Sequence, residues 1–350
     1  MNDTMQNLMQ VATRLTRAGQ LQEATAAIQR ALAKGLGARA PGAAAPARRP
    51  VVPELLDGLV FESGAGKVDG DLSSGSHSQA GLTRAYKLYA PPGAAGRALP
   101  LVVMLHGCTQ CPDDFAAGTA MNEHARKQGF FVLYPAQSQD ANPSRCWNWF
   151  KHNHQRRGSG EPAVLAGMTQ VVMQQHAIDA RRVYIAGLSA GGAMAAIVAA
   201  AYPELFAAVG VHSGLASGAA SNLSQALAAM QGGGRAPVGA TCAVPTIVFH
   251  GDQDRTVHPR NGEQVVAAVR ARGAAGARVE QGVCGQGRRY TRSAHPGGSG
   301  SAAAEHWLVH GAGHAWSGGR AAGSYTDAKG PDASLEMLRF FFAHPQTLVH

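Results

Sequence analysis

The sequence predicts an α/β protein: a mainly parallel sheet with helices on both faces, preceded by a helical hairpin. Three observations predict it. From about residue 82 to residue 342, β-forming and helix-forming stretches alternate, the order expected of parallel strands joined by right-handed crossovers. Leu101-Val102-Val103-Met104-Leu105 is an unbroken apolar run, as in a strand covered on both faces. Val183-Tyr184-Ile185, a Gly-Leu-Ser-Ala-Gly-Gly turn at 187–192 and the helix formers from Ala193 to Ala201 read as strand, sharp turn and helix.

The elements follow in order. Met5, Leu8, Met9, Ala12 and Leu15 recur at helical spacing, and Ala24, Ala27, Ile28 and Leu32 line one face of a second helix. Residues 1–34 therefore read as a helical hairpin, and 35–53, rich in Ala, Gly, Pro and Arg, as a linker. The main domain is expected over 54–350. Leu82 to Tyr89 alternates as a half-buried strand and stops at Pro91-Pro92-Gly93. After the Leu101 to Leu105 strand come a helix over Phe115 to Lys127 and a strand over Phe130 to Tyr134. A helix from Ala163 to His176 leads into the serine strand. Later strands are expected at Ala207 to Val211, Thr246 to His250 and Glu305 to Val309, with a last helix over Ala333 to Phe342.

Composition narrows the function classes. A 45% hydrophobic content supplies a large core, so the chain as a whole is not disordered. The net charge of +9 comes from scattered arginines without a recognition motif, which argues against a nucleic-acid partner. No apolar stretch is long enough to span a bilayer. Met1 to Gln6 has no basic or apolar signal character, so a cytoplasmic location is the expectation. Five cysteines, an odd number, exclude complete internal pairing.

The chemistry centres on Ser189. Gly187 and Gly191 stand two residues before and after it, as a nucleophile elbow requires. A serine hydroxyl needs a base, and the base needs an orienting acid. In such a strand-turn-helix context the chain order is serine, acid, histidine. Asp252 and Asp254 follow the strand at Thr246, and Asp254 is preferred because Asp252 sits where it would cap the loop. His306, His310 and His314 are the bases available; His314 is preferred, lying beyond a Gly-Ala-Gly turn. His106, His212 and His250, at strand ends, read as structural. The N-H groups of Ala190 and Cys108 are the candidate oxyanion donors.

Cys108 and Cys146 each border a motif at this end of the sheet, and a disulfide between them would tie the oxyanion loop to the tryptophan loop. That bridge requires Cα atoms within about 7 Å, and a reducing cytoplasm would oppose it. Trp147, Trp149 and Trp316 lie on loops flanking the site, where core packing and an apolar substrate cleft are both open to them. Ligand spacing for zinc is absent, so neither a metal nor a cofactor is expected.

Five motifs in one order resemble the polyhydroxybutyrate depolymerase-like serine esterases of the α/β-hydrolase superfamily. They are His106-Gly107-Cys108-Thr109-Gln110, Cys146-Trp147-Asn148-Trp149-Phe150, Gly187-Leu188-Ser189-Ala190-Gly191-Gly192, His250-Gly251-Asp252-Gln253-Asp254 and Gly313-His314-Ala315-Trp316-Ser317-Gly318-Gly319. The resemblance covers roughly Arg84 to His344. It implies Ser189, Asp254 and His314 as triad, Cys108 and Ala190 as oxyanion hole, and esters as substrates. Hydroxyalkanoate polyesters or oligomers lead, with a polyester granule surface as partner. Plant-derived acetyl or feruloyl esters are the alternative, and a non-catalytic binding protein on the same scaffold is a third reading. Many members are secreted, which is the alternative to the cytoplasm. Cys111 and the hairpin at 1–34 fall outside the family pattern.

Overall fold

The structure is a computed structural model and describes residues 70–234, 242–269, 276–285, 287–297 and 303–346. The expected hairpin at 1–34 and linker at 35–53 lie outside the described residues.

Ten strands form one sheet. In chain order they are β1 (Asp71–Gln79), β2 (Leu82–Ala90), β3 (Leu99–Leu105), β4 (Phe131–Pro135), β5 (Ile178–Leu188), β6 (Ala208–His212), β7 (Thr246–Gly251), β8 (Arg278–Val283), β9 (Arg289–His295) and β10 (Ala304–Val309). The spatial order is β1-β2-β4-β3-β5-β6-β7-β10-β9-β8. From β4 to β10 every neighbouring pair is parallel. The pairs β1–β2, β2–β4, β10–β9 and β9–β8 are antiparallel and flank that centre. A short pair, β11 (Trp316–Ser317) and β12 (Thr326–Asp327), lies apart from the large sheet.

Helices α1 (Pro112–Thr119), α2 (Met121–Gln128), α3 (Gly160–Gln175), α4 (Ala190–Ala201), α5 (Leu223–Gly232), α6 (Arg260–Val269) and α7 (Ala333–Phe342) join the strands. They cover both faces, which is why β3 and residues 183–188 of β5 are buried at every step. On β5, Val183 and Ile185 join Met168 of α3 and Ile197 of α4 in one core. Tyr184 and Ala186, pointing the other way, join Met121 of α2 and Met337 and Phe341 of α7 in the second. Tyr184 and Phe341 stack with ring centroids 5.0 Å apart.

The helix expected over Phe115 to Lys127 is two helices. Ala120 between them takes a left-handed φ of 52°. The carbonyl of Thr119 accepts from Ser334 Oγ at 2.7 Å, and the Thr119 hydroxyl donates back to Phe115 O. Those two bonds draw the backbone out of the helical ladder at the point where α7 packs.

One buried polar cluster ties the amino-terminal strands to the loop after β4. Glu161, fully buried at the start of α3, accepts from Arg84 of β2 at 3.1 Å, from Gln137 Nε2 at 2.5 Å, and from the Asn148 N-H and Nδ2 at 2.7 and 2.8 Å. Burial alone would push the Glu161 carboxyl up. The His154 ring beside it and the Gln137 and Asn148 donors outweigh that and bring it below the usual carboxylate range. Glu161→Ala leaves the Arg84 guanidinium buried without its counter-charge and is expected to cost about 3–5 kcal/mol. Urea denaturation checks this: Glu161→Ala should lower the midpoint sharply, and Glu161→Gln, which keeps an acceptor, should lower it less.

Candidate active site

The parallel strands β3, β5, β6, β7 and β10 all end at one edge of the sheet, and in open α/β sheets ligands bind beyond that edge. The loops leaving it carry His106 to Gln110, Ser189, His212, Asp252 to Asp254, and His310 to His314. Cys108, Ser189, Asp254 and His314 therefore arrive on different strand ends, with Ala190 next to Ser189.

Ser189 follows β5 directly and takes φ 56° and ψ −119°, a backbone conformation that L residues rarely adopt. Its N-H donates to the His212 carbonyl at 2.8 Å. The turn demands bare glycines on both sides. A Cβ on Gly187 would stand 2.4 Å from the Gly191 carbonyl carbon, and a Cβ on Gly191 only 2.1 Å from Leu105 O. Ala190 opens α4, so its N-H has no partner within the helix. In the loop after β3, Gln110 Oε1 accepts the Gly107 N-H and Ser144 O accepts the Thr109 N-H. Between them the Cys108 N-H has no acceptor among the described residues. Cys108 is bonded to Cys146, with Cα atoms 4.2 Å apart, so the expected bridge between the two loops is present.

The two aspartates separate by partner. Asp254 Oδ2 lies 2.7 Å from His314 Nδ1, while its Oδ1 accepts the N-H groups of Thr256 and Val257 at 2.9 and 2.8 Å. Asp252 instead takes His310 Nδ1 at 2.9 Å and the Gly311 N-H at 2.7 Å. Burial acts to raise the Asp254 carboxyl, but the His250 ring beside it, the hydrogen-bonded His314 and the Val257 N-H outweigh that and hold the group well below the ordinary range. It is an anion throughout the neutral range. His314 is half-buried, as is Ser189.

Three further histidines are fixed parts of the frame. His106 Nε2 accepts the Gln137 N-H at 3.1 Å, which assigns the proton to Nδ1 for its 2.8 Å contact with Gly107 O. His212 Nε2 accepts the Ser317 N-H at 2.9 Å, and its ring stacks on Trp316 and Phe249. His212 thereby joins the serine elbow, through its carbonyl, to the chain just after His314. His250 Nε2 donates to Val257 O at 2.8 Å, bracing the Asp254 loop.

The tryptophans do not form an open cleft. Trp147, Trp149 and Trp316 are 0%, 5% and 1% exposed. The Trp147 indole N-H donates to His106 O and the Trp316 indole N-H to Ser334 Oγ. Both rings face inward, their polar ends satisfied in the interior, so they support the loops. Glu161 and Ser324 were missed in the sequence, and Gln110 was seen there only as the last residue of the His106 to Gln110 motif. Gln110 Nε2 donates to Asp114 Oδ2 and Ser324 O, and the Ser324 hydroxyl donates to Asp114 at 2.6 Å, locking the oxyanion loop to the 324–325 loop. A lone Glu, Gln or Ser carries no local pattern that would reveal such a contact. Among the described residues no group of three or more His, Cys, Asp or Glu is arranged to hold a metal ion. Nor is any described helix long and apolar enough to cross a membrane.

A strained serine after a central parallel strand, with an Asp-His pair on later strand ends, defines an α/β-hydrolase. The fold agrees with the solved structure of an acetyl xylan esterase from Aspergillus awamori, at TM-score 0.63 and 20% identity over 78% of this chain and 99% of that one. The chain belongs to the family described as esterase PHB depolymerase, whose match runs over residues 84–283. Poly(3-hydroxyalkanoate) depolymerase C of Paucimonas lemoignei is 34% identical over 192 residues, 51% of this chain and 46% of that protein. A probable acetylxylan esterase A of Neosartorya fischeri is 30% identical over 193 residues, 50% of this chain and 51% of that protein. The chain thus spans about half the length of these curated relatives.

The buried histidines set an acid limit to stability. Burial lowers His106 and His306 to about 4 and also holds His212 well below the ordinary histidine value. In the unfolded chain each titrates near 6.5. Between those values the unfolded state binds more protons than the fold, so stability is complete above about pH 6.5 and falls as pH drops toward 4. Thermal melts across that range should show Tm declining with acid. His306→Gln should flatten the slope by about one proton's worth, up to ~1.4 kcal/mol per pH unit.

Proposed function

We propose that this chain is a cofactor-free serine esterase whose substrate is a hydroxyalkanoate polyester or its oligomers. The observation that carries the reading is the 2.7 Å contact between Asp254 Oδ2 and His314 Nδ1, on the same sheet edge as the strained Ser189. With Asp254 anionic, Nδ1 of His314 keeps its proton and Nε2 is the basic nitrogen. Nε2 takes the proton of Ser189 as its Oγ attacks the ester carbonyl. The N-H groups of Ala190 and Cys108 receive the developing oxyanion. His314 then protonates the departing alcohol, and water repeats the sequence on the acyl-enzyme. The Cys108–Cys146 bridge keeps one oxyanion donor in place. It also fits an oxidising compartment, which favours the secreted alternative over the cytoplasm.

The polyester reading is supported by the family and by the likeness to a poly(3-hydroxyalkanoate) depolymerase. A second reading, an acetyl or feruloyl esterase, is favoured by 30% identity to an acetylxylan esterase and 34% identity over 126 residues to feruloyl esterase B of Neurospora crassa. The intact serine, histidine and aspartate weigh against a non-catalytic binding protein.

Ser189→Ala should lower kcat by about 10⁴-fold or more while leaving the melting curve unchanged. Asp254→Asn should lose about 10⁴-fold as well, whereas Asp252→Asn, whose partner is His310, should lose far less. Near-normal turnover in Ser189→Ala ends the proposal. Rates on 3-hydroxybutyrate oligomers, amorphous polyester, methyl ferulate and acetylated xylan then decide between the two substrate readings.

A further inference from the structure

With the tryptophans buried, the surface that meets the remainder of the ester must come from elsewhere. Tyr325 is a large aromatic that stays open to solvent at this edge, 46% exposed. It does so in a left-handed backbone conformation, φ 52°, which is unfavourable for a bulky side chain and persists only where its surroundings enforce it.

Those surroundings are specific. The Tyr325 carbonyl accepts the Trp316 N-H at 2.7 Å, two residues beyond His314. The preceding Ser324 is held by Asp114 through its N-H at 2.8 Å and its hydroxyl at 2.6 Å, and its carbonyl accepts from Gln110 Nε2 at 3.1 Å. The phenol oxygen lies 3.1 Å from Thr109 Oγ1. Thr109 has one hydroxyl proton, and that proton goes to Cys108 O at 2.6 Å, so the phenol is the donor to Thr109. Thr109 is itself left-handed at φ 67°. Tyr325 therefore spans the two loops whose chemistry must converge: its backbone holds the chain after His314, and its hydroxyl is spent on the residue after Cys108. With that hydroxyl engaged, what the ring offers to solvent is its apolar body.

We propose that the Tyr325 ring is a substrate-contact surface, packing against the apolar methyl and methylene groups of the hydroxyalkanoate unit next to the scissile ester. The inference rests on the esterase reading above and names a subsite of that same site.

The test compares purified full-length protein, Tyr325→Asn and Tyr325→Phe on 3-hydroxybutyrate trimer and on p-nitrophenyl acetate. Asparagine accepts the left-handed backbone and removes the ring, and Tyr325→Gly serves the same purpose should Tyr325→Asn fail to fold. Tyr325→Asn should raise KM for the trimer about tenfold, the scale of losing roughly 50 Å² of apolar contact, with kcat little changed. The rise for p-nitrophenyl acetate should be several-fold smaller, and Tyr325→Phe should restore the trimer KM. Equal KM changes on both esters, a loss confined to kcat, or no change on either would overturn the subsite. Labelling of Ser189 by a fluorophosphonate separates this from the reading beneath it. An unlabelled wild type refutes the esterase itself, whereas equal labelling of wild type and Tyr325→Asn with an unaltered trimer KM refutes the subsite alone.

Discussion

Everything at the carboxyl edge of the sheet depends on backbone meeting backbone without side chains between. Gly187 and Gly191 lie so close to each other and to the end of β3 that a single methyl at either would collide with main-chain atoms. Main chain cannot swing aside as a side-chain tip can. Absence of Cβ atoms lets β5 turn into α4 within a few residues, and the same closeness brings the start of the oxyanion loop against the elbow. The strained Ser189 is a result of that packing. The surrounding cores of β3, β5 and α4, apolar at nearly every position, hold the strain in place.

Around this contact the protein separates its charges by function. His106 and His212 are buried and neutral, acting as hydrogen-bonding braces. Asp254 is the opposite case, a buried carboxylate kept ionised by the donors around it. Further out, Glu161 gathers Arg84, Gln137 and Asn148 into one buried cluster, so the loop bearing Cys146 is held by a buried anion.

The central strands, most crossover helices and the placement of Ser189, Asp254 and His314 were legible because each is written in consecutive residues: an apolar run, a glycine-flanked serine, an Asp or His just past a strand. What was not legible is long-range. Sequence placed the tryptophans on the right loops but does not encode which way an indole turns, and their N-H groups found acceptors inward. Strand β1 (Asp-Leu-Ser-Ser-Gly-Ser-His-Ser-Gln) is polar and largely exposed, and β8 is an edge strand with Val279 and Val283 open to solvent. Neither shows the buried alternation by which strands are recognised. Tyr325 is the extreme case: nothing in Ser-Tyr-Thr announces a left-handed tyrosine, since contacts over 200 residues away impose it.

The bond between Cys108 and Cys146 closes a covalent ring around α1, α2 and β4. Its two ends are pinned side by side, one at an oxyanion donor and the other at the tryptophan loop. A change of chain path in the turn before β4 alters the outer contour without altering the separation of those ends, whereas the loop after β4 is itself tied back to them by Gln137 and Ser144.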